Sequence, residues 1–154
     1  MPTDVHARTE QLNLGKCDDC ACFNLRKATR AVTQLFDVAL HPIGLRGTQL
    51  GILVAISSAG SATISRLAEW LVMDRTTLTR DLKPLEKQRL VKIVPGKDRR
   101  TRCVALTNRG CETLLKALPL WEKAQARIVK GLGQDRFESL LEGLSEAVSV
   151  ARGN

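Results

Sequence analysis

Tyrosine is absent from the 154 residues, and three Phe and two Trp make up the whole aromatic content. Binders of single-stranded nucleic acid stack successive bases on aromatic faces, so so few rings exclude that class. Long apolar runs are missing too: none approaches the roughly 18 residues that a membrane span requires. The opening MPTDVHARTEQLNLGKCDDC has scattered acids and no apolar centre, which fits neither a secretory signal nor a transit peptide, and a cytoplasmic location is expected. No Ser–His–acid constellation, phosphate loop or paired-carboxylate motif stands out, so neither an enzyme nor a cofactor is expected. Internal repeats and low-complexity linkers are lacking as well.

What the chain does have is an ordinary globular balance, 44% apolar and 26% charged, with length for one domain. Its net charge is +8, and the placement of that charge is informative. Between Asp74 and Arg102 lie ten Lys or Arg against four acids, so one short stretch holds six of the eight net charges. With stacking excluded, such a cluster points to duplex DNA as the polyanion.

Hydrophobic periodicity predicts a mainly α protein with a small β-hairpin. Asp19 is positioned to cap a first helix carrying Cys22, Leu25, Ala28, Val32, Leu35 and Phe36, which His41 and Pro42 stop. A second helix is expected over about Thr48–Ser57, followed by a loop in SAGSAT, and a third over Ile64–Val72. Asp74 then caps a fourth that runs to Gln88, with Pro84 expected to kink it. Alternation on both sides of Pro95-Gly96 predicts a hairpin with a basic tip. A long helix from Thr107 or Asn108, bent at Pro119, and a last one carrying Phe137, Leu140, Leu141, Leu144 and Val148 leave more apolar surface than the centre can cover. A homodimer is the expected consequence.

Helix, turn, helix and basic hairpin in that order form a winged helix-turn-helix, whose second helix enters the major groove. In that reading Arg75, Thr76, Thr77, Thr79, Arg80 and Lys83 face DNA from the helix, and Lys97, Arg99 and Arg100 from the wing, with Asp98 holding an arginine in place. Leu78, Leu82 and Leu85 form the inward face. The whole, residues 1–154, reads as one domain: dimerisation helices at 18–45 and 108–152, and the winged unit at 46–107.

The stretches LAEWLVMDRTTLTRDLKPLEKQRLVKI and GKDRRTRCVALTNRG resemble the multiple antibiotic resistance regulator (MarR) family of bacterial transcription factors. The second carries that family's wing signature at Asp98, Arg99, Leu106, Thr107 and Gly110. The resemblance implies a homodimer on a pseudo-palindromic operator, often a repressor, switched by a small aromatic effector or an oxidant. Where the family commonly ends its recognition helix with Gly, this chain has Arg89, which suggests a different ending.

Cys17, Cys20 and Cys22 crowd the start of the first helix. Cys22-Phe23 and the following residues resemble the organic hydroperoxide resistance branch of the family, which implies peroxide sensing at Cys22, with Cys17, Cys20 or Cys111 as resolving thiol. Tyrosines accompany the reactive thiol in that branch and are missing here. Two other readings stand beside it: a zinc or iron–sulfur site with three soft ligands, and plain structural thiols. Cys103 and Cys111 read as core residues, and Trp70 and Trp121 as core or as walls of a ligand crevice. A nonspecific DNA-compacting protein is the rival function.

Overall fold

A computed structural model describes residues 9, 14–98 and 100–153. The chain divides into two compact units at Leu35/Phe36, and each is taken by itself. In the first, a 3-10 helix over Leu14–Asp19 leads into helix α1, Ala21–Leu40. Asp19 ends the 3-10 helix instead of capping α1. The entry is fastened by Asn24, whose Nδ2 donates to the carbonyls of Asp18 at 2.7 Å and Cys20 at 3.0 Å.

The second unit begins in the last turn of α1. His41-Pro42-Ile43 makes a 3-10 turn that ends on Gly44 at φ 67°, so the chain stops at the expected place. Helix α2, Gly47–Ala59, is anchored at both of its first amides. Asp37 Oδ1 accepts the Gly47 N–H at 2.7 Å, and Gln49 Oε1 accepts that of Arg46 at 3.0 Å. Leu50, Ile52, Leu53, Ala55 and Ile56 then place α2 at the centre of the core.

Strand β1, Ala62–Thr63, lies within the segment expected to be a loop, and Thr63 caps helix α3, Ile64–Trp70, by accepting the Arg66 N–H. Helix α4 spans Arg75–Lys87, and strands β2, Val91–Pro95, and β3, Arg102–Leu106, form the wing. The sheet is antiparallel in the order β1-β3-β2, with Ala62 opposite Val104 and Ile93 opposite the same Val104. Helices α5, Asn108–Leu132, and α6, Gln134–Arg152, complete the chain. Pro84 lies inside α4 and Pro119 inside α5, and both helices continue past them.

Leu53, Leu78, Leu82 and Leu85 are wholly buried, with Ile56, Leu67 and Val104 beside them. Each such side chain contributes about 1.5–3 kcal/mol, so the inner face of α4 is fixed mainly by its leucines.

Helices α3 and α4 end alike. After α3, Val72 N–H donates to Glu69 O and Met73 N–H to Ala68 O. After α4, Arg89 N–H donates to Glu86 O and Leu90 N–H to Leu85 O. These are the paired bonds of a Schellman ending, which requires a left-handed residue. Here the residues are Val72 at φ 54° and Arg89 at φ 58°. The expected alternative ending at Arg89 is therefore not adopted: the paired bonds and the Leu85–Leu90 burial hold the usual geometry without glycine.

Candidate nucleic-acid interface

Helix α4 begins at Asp74, whose Oδ1 accepts the Thr77 N–H at 2.8 Å while Oδ2 accepts the Thr77 hydroxyl at 2.5 Å. The Thr77 hydroxyl, reinforced by its amide, holds the Asp74 carboxyl below the ordinary carboxylate range. Thr79 donates its hydroxyl to Arg75 O at 2.7 Å. Of the three threonines in these turns, Thr77 and Thr79 thus have their protons committed within the helix. The Thr76 hydroxyl is exposed and has no partner among the described residues.

With Leu78, Leu82 and Leu85 inward, the opposite side of α4 presents Thr76, Arg80, Lys83 and Lys87, spaced so that they share one face. Arg75 lies exposed beside this stripe, and Thr79 is half-buried. Arg80 Nε stands 3.6 Å from Asp81 Oδ1, with the Arg80 side chain 73% exposed. A pair that open to solvent is worth little and leaves the guanidinium available to a stronger anion. Lys87 was not among the expected site residues, although its four-residue spacing from Lys83 signals it.

The wing closes by Gly96 N–H to Thr101 O at 2.8 Å and Thr101 N–H to Asp98 O at 2.9 Å. Asp98 Oδ1 accepts the backbone N–H of Arg100 at 3.1 Å, so its carboxylate shapes the turn through the main chain. Lys97 and Arg100 are exposed at the tip, whereas Arg99 lies outside the described residues. The exposed cations of the helix and of the wing, with an apolar core behind the helix, suit a rod of phosphates.

The other candidate residues lie elsewhere. Cys17, Cys20 and Cys22 are exposed, and Cys20 N–H donates to Cys17 O at 3.1 Å. Among the described residues no group of three or more His, Cys, Asp or Glu is placed to hold a metal ion, which gives the zinc and iron–sulfur reading no support. Cys103 is half-buried, whereas Cys111 is exposed and so is not a core residue. Trp70 is 57% exposed and Trp121 36%, so neither is a core residue. A shallow apolar depression of about 350 Å³ is lined by Asp37, Val38, His41 and Pro42, and includes neither tryptophan.

A helix-turn-helix with a hydrogen-bonded wing and a basic outer helix defines a winged-helix protein. Residues 43–101 match the MarR family. The chain is 37% identical to the M. tuberculosis transcriptional regulator MosR, solved in complex with DNA; the match covers 87% of this chain and 99% of that one, with a TM-score of 0.77. The chain belongs to the MarR family, whose members are transcriptional regulators and not enzymes. It is also similar in fold to E. coli MarR complexed with operator DNA, at 24% identity, 90% and 95% coverage of the two chains and a TM-score of 0.75. The uncharacterized HTH-type regulator YwoH of Bacillus subtilis (strain 168) is 28% identical over 83 residues, 54% of this chain. The chain spans 61% of the length of that curated relative.

Proposed function

We propose that the protein is a homodimeric repressor that binds a pseudo-palindromic duplex operator and is released by oxidation of its amino-terminal thiols or by a small aromatic effector. The observation that carries this is the two-sided build of α4: wholly buried Leu78, Leu82 and Leu85 behind an exposed stripe of Thr76, Arg80, Lys83 and Lys87. That build seats a helix in a major groove, with Arg75, Thr76, Thr79 and Arg80 toward bases and neighbouring phosphates, and Lys97, Arg99 and Arg100 of the wing along the flanking groove. Thr77 supports the reading indirectly, through the Asp74 cap.

Dimerisation follows from uncovered apolar surface. Leu115, Leu118, Leu140, Leu141 and Val148 on α5 and α6 are all more than 40% exposed, and α6 buries no residue within the chain. Uncovered apolar side chains on two consecutive helices are covered best by the same helices of a second copy. Two such copies present two basic helices, which fits a two-fold operator, and occupancy of a promoter by the pair blocks transcription. Such a regulator works beside the chromosome, in the cytoplasm. MosR and E. coli MarR, both solved on DNA, support the choice of ligand.

The test is selection of bound fragments from the source genome by the purified protein, with and without a hydroperoxide, followed by competition against random duplex. A single palindromic motif, lost on oxidation, is expected. A specificity ratio near one identifies a nonspecific DNA-compacting protein instead.

A further inference from the structure

We propose that Thr107 is a positioning residue for operator recognition: it is the joint that sets the angle of α4 against α5. The inference rests on the dimeric operator-binding reading above. Thr107 precedes α5 and caps it, its Oγ1 accepting the Gly110 N–H at 3.0 Å. The same oxygen donates its proton to Arg89 O at 2.6 Å, with Leu90 O at 3.2 Å, and the Thr107 N–H donates to Leu90 O at 3.0 Å. One residue thus ties the first turn of the long helix to the corner immediately behind α4.

Neither side of this joint has slack. On the α4 side, the corner is locked by the Leu90 N–H bond to Leu85 O at 2.9 Å and by the burial of both leucines. On the α5 side, Gly110 lets the Leu90 carbonyl approach so closely that a β-carbon there would strike it. Backbone meets backbone here, with the Leu106 side chain as the next neighbour.

The corner is at the carboxyl end of α4, while the residues that face bases are in its first turns; with Leu78 and Leu82 seated in the core, α4 moves together with the elements it packs on, and the corner is the pivot about which its reading end swings. At 1.5 Å per residue α4 is roughly 20 Å long, and a tilt of about 5° moves its far end by roughly 1.7 Å. Two helices tilting oppositely shift by about 3.4 Å, one base-pair step. Half-site spacing is therefore the property that the Thr107 hydroxyl controls.

The experiment uses the selected operator with its native spacing and with one base pair inserted or removed. Affinities are read by fluorescence anisotropy, with melting and sedimentation run in parallel. Wild type and Thr107→Ser, which keeps both hydroxyl bonds, are expected to prefer the native spacing by about tenfold or more. Thr107→Asp keeps an acceptor for the Gly110 N–H but has no proton for Arg89 O, so α5 stays capped and the backbone bond to Leu90 O remains while the hydroxyl's tie to the corner is lost. It is expected to remain dimeric, with its spacing preference reduced to within about twofold. Gly110→Ala, which pushes the Leu90 carbonyl away, opens the same joint from its other side and carries the same expectation. Wild-type preference retained by either variant overturns the role of Thr107, as does loss of preference in Thr107→Ser. Wild-type protein indifferent to spacing overturns the dimeric reading itself.

Discussion

The carbonyl oxygen of Leu90 sits against the α-carbon of Gly110, in the space a β-carbon would occupy. Gly51, on the exposed side of α2, has open space among the described residues where its β-carbon would stand. The two helical glycines should therefore respond in opposite directions to alanine. Gly51→Ala gains helix propensity and is expected to stabilise the protein by about 0.5–1 kcal/mol. Gly110→Ala is expected to destabilise it by roughly 1–3 kcal/mol, because the crowding outweighs that gain. Urea unfolding of both variants checks this, and a stabilised Gly110→Ala protein means the close approach is absent.

Val72 and Arg89 hold left-handed conformations that disfavour side chains, and a β-branched residue suffers most. Val72→Gly and Arg89→Gly should each raise stability by about 1 kcal/mol through relief of that conformation. Denaturation midpoints report the gain, and a loss in both variants would falsify the strain assigned to these two corners.

On DNA, the residues of α4 should separate by the kind of contact they make. Arg80→Ala is expected to cost about 1–3 kcal/mol of specific affinity and to relax the sequence preference at one operator position. Lys83→Ala and Lys87→Ala should act uniformly on all sequences and lower the salt slope by about one each. Thr76→Val should weaken binding without moving the melting temperature, whereas Thr77→Val should lower the melting temperature by loosening Asp74. Anisotropy titrations over a salt series distinguish these outcomes, and equal effects at Thr76 and Thr77 contradict the division.

The Asp74 carboxyl is held below its ordinary range by the Thr77 hydroxyl and amide, so its charged form stabilises the folded state. That contribution is complete above the ordinary carboxylate range and disappears as the pH falls through the lowered value. Asp74→Asn keeps a capping oxygen without the charge. The stability difference between wild type and this variant should be largest near neutral pH and shrink in acid. Melting curves from neutral pH down to the acid limit measure it, and a constant difference removes the charge from the account.

For the thiols, Cys22→Ser is expected to bind operator like wild type and to resist release by hydroperoxide. Exposure of Cys17, Cys20 and Cys22 makes all three open to the oxidant, and Asn24 Nδ2 donates to the Asp18 and Cys20 carbonyls between them. Gel shifts with and without peroxide read the result. Release that persists in the variant transfers the primary role to another cysteine.

The helices and the wing were legible because each repeats a pattern over many residues: Leu78, Leu82 and Leu85 on one side of α4, and alternation through β2 and β3. Strand β1 was not, since two residues cannot display a period and Ala62–Thr63 become a strand only by pairing with distant Val104 and Cys103. Asp74 announced the start of α4, yet the order of residues does not show which of the Thr76, Thr77 and Thr79 hydroxyls are bonded within the helix. Three hydroxyls in adjacent turns look equivalent until the bonds to Asp74 and Arg75 O assign two of them. Gly110 was visible as a signature residue, but its reason, the Leu90 carbonyl, comes from another part of the chain.

Strand β3 has partners on both edges: β2 on one side, and on the other β1, which runs straight into α3. The base of the hairpin is thereby tied to the helix-turn-helix through β1, whereas the described bonds of the tip, Gly96 to Thr101 and Thr101 to Asp98, lie within the turn itself. Tips of different length or sequence can be grafted there without disturbing the groove-reading helix, which makes this hairpin a modular place to retarget the protein to a new flanking sequence.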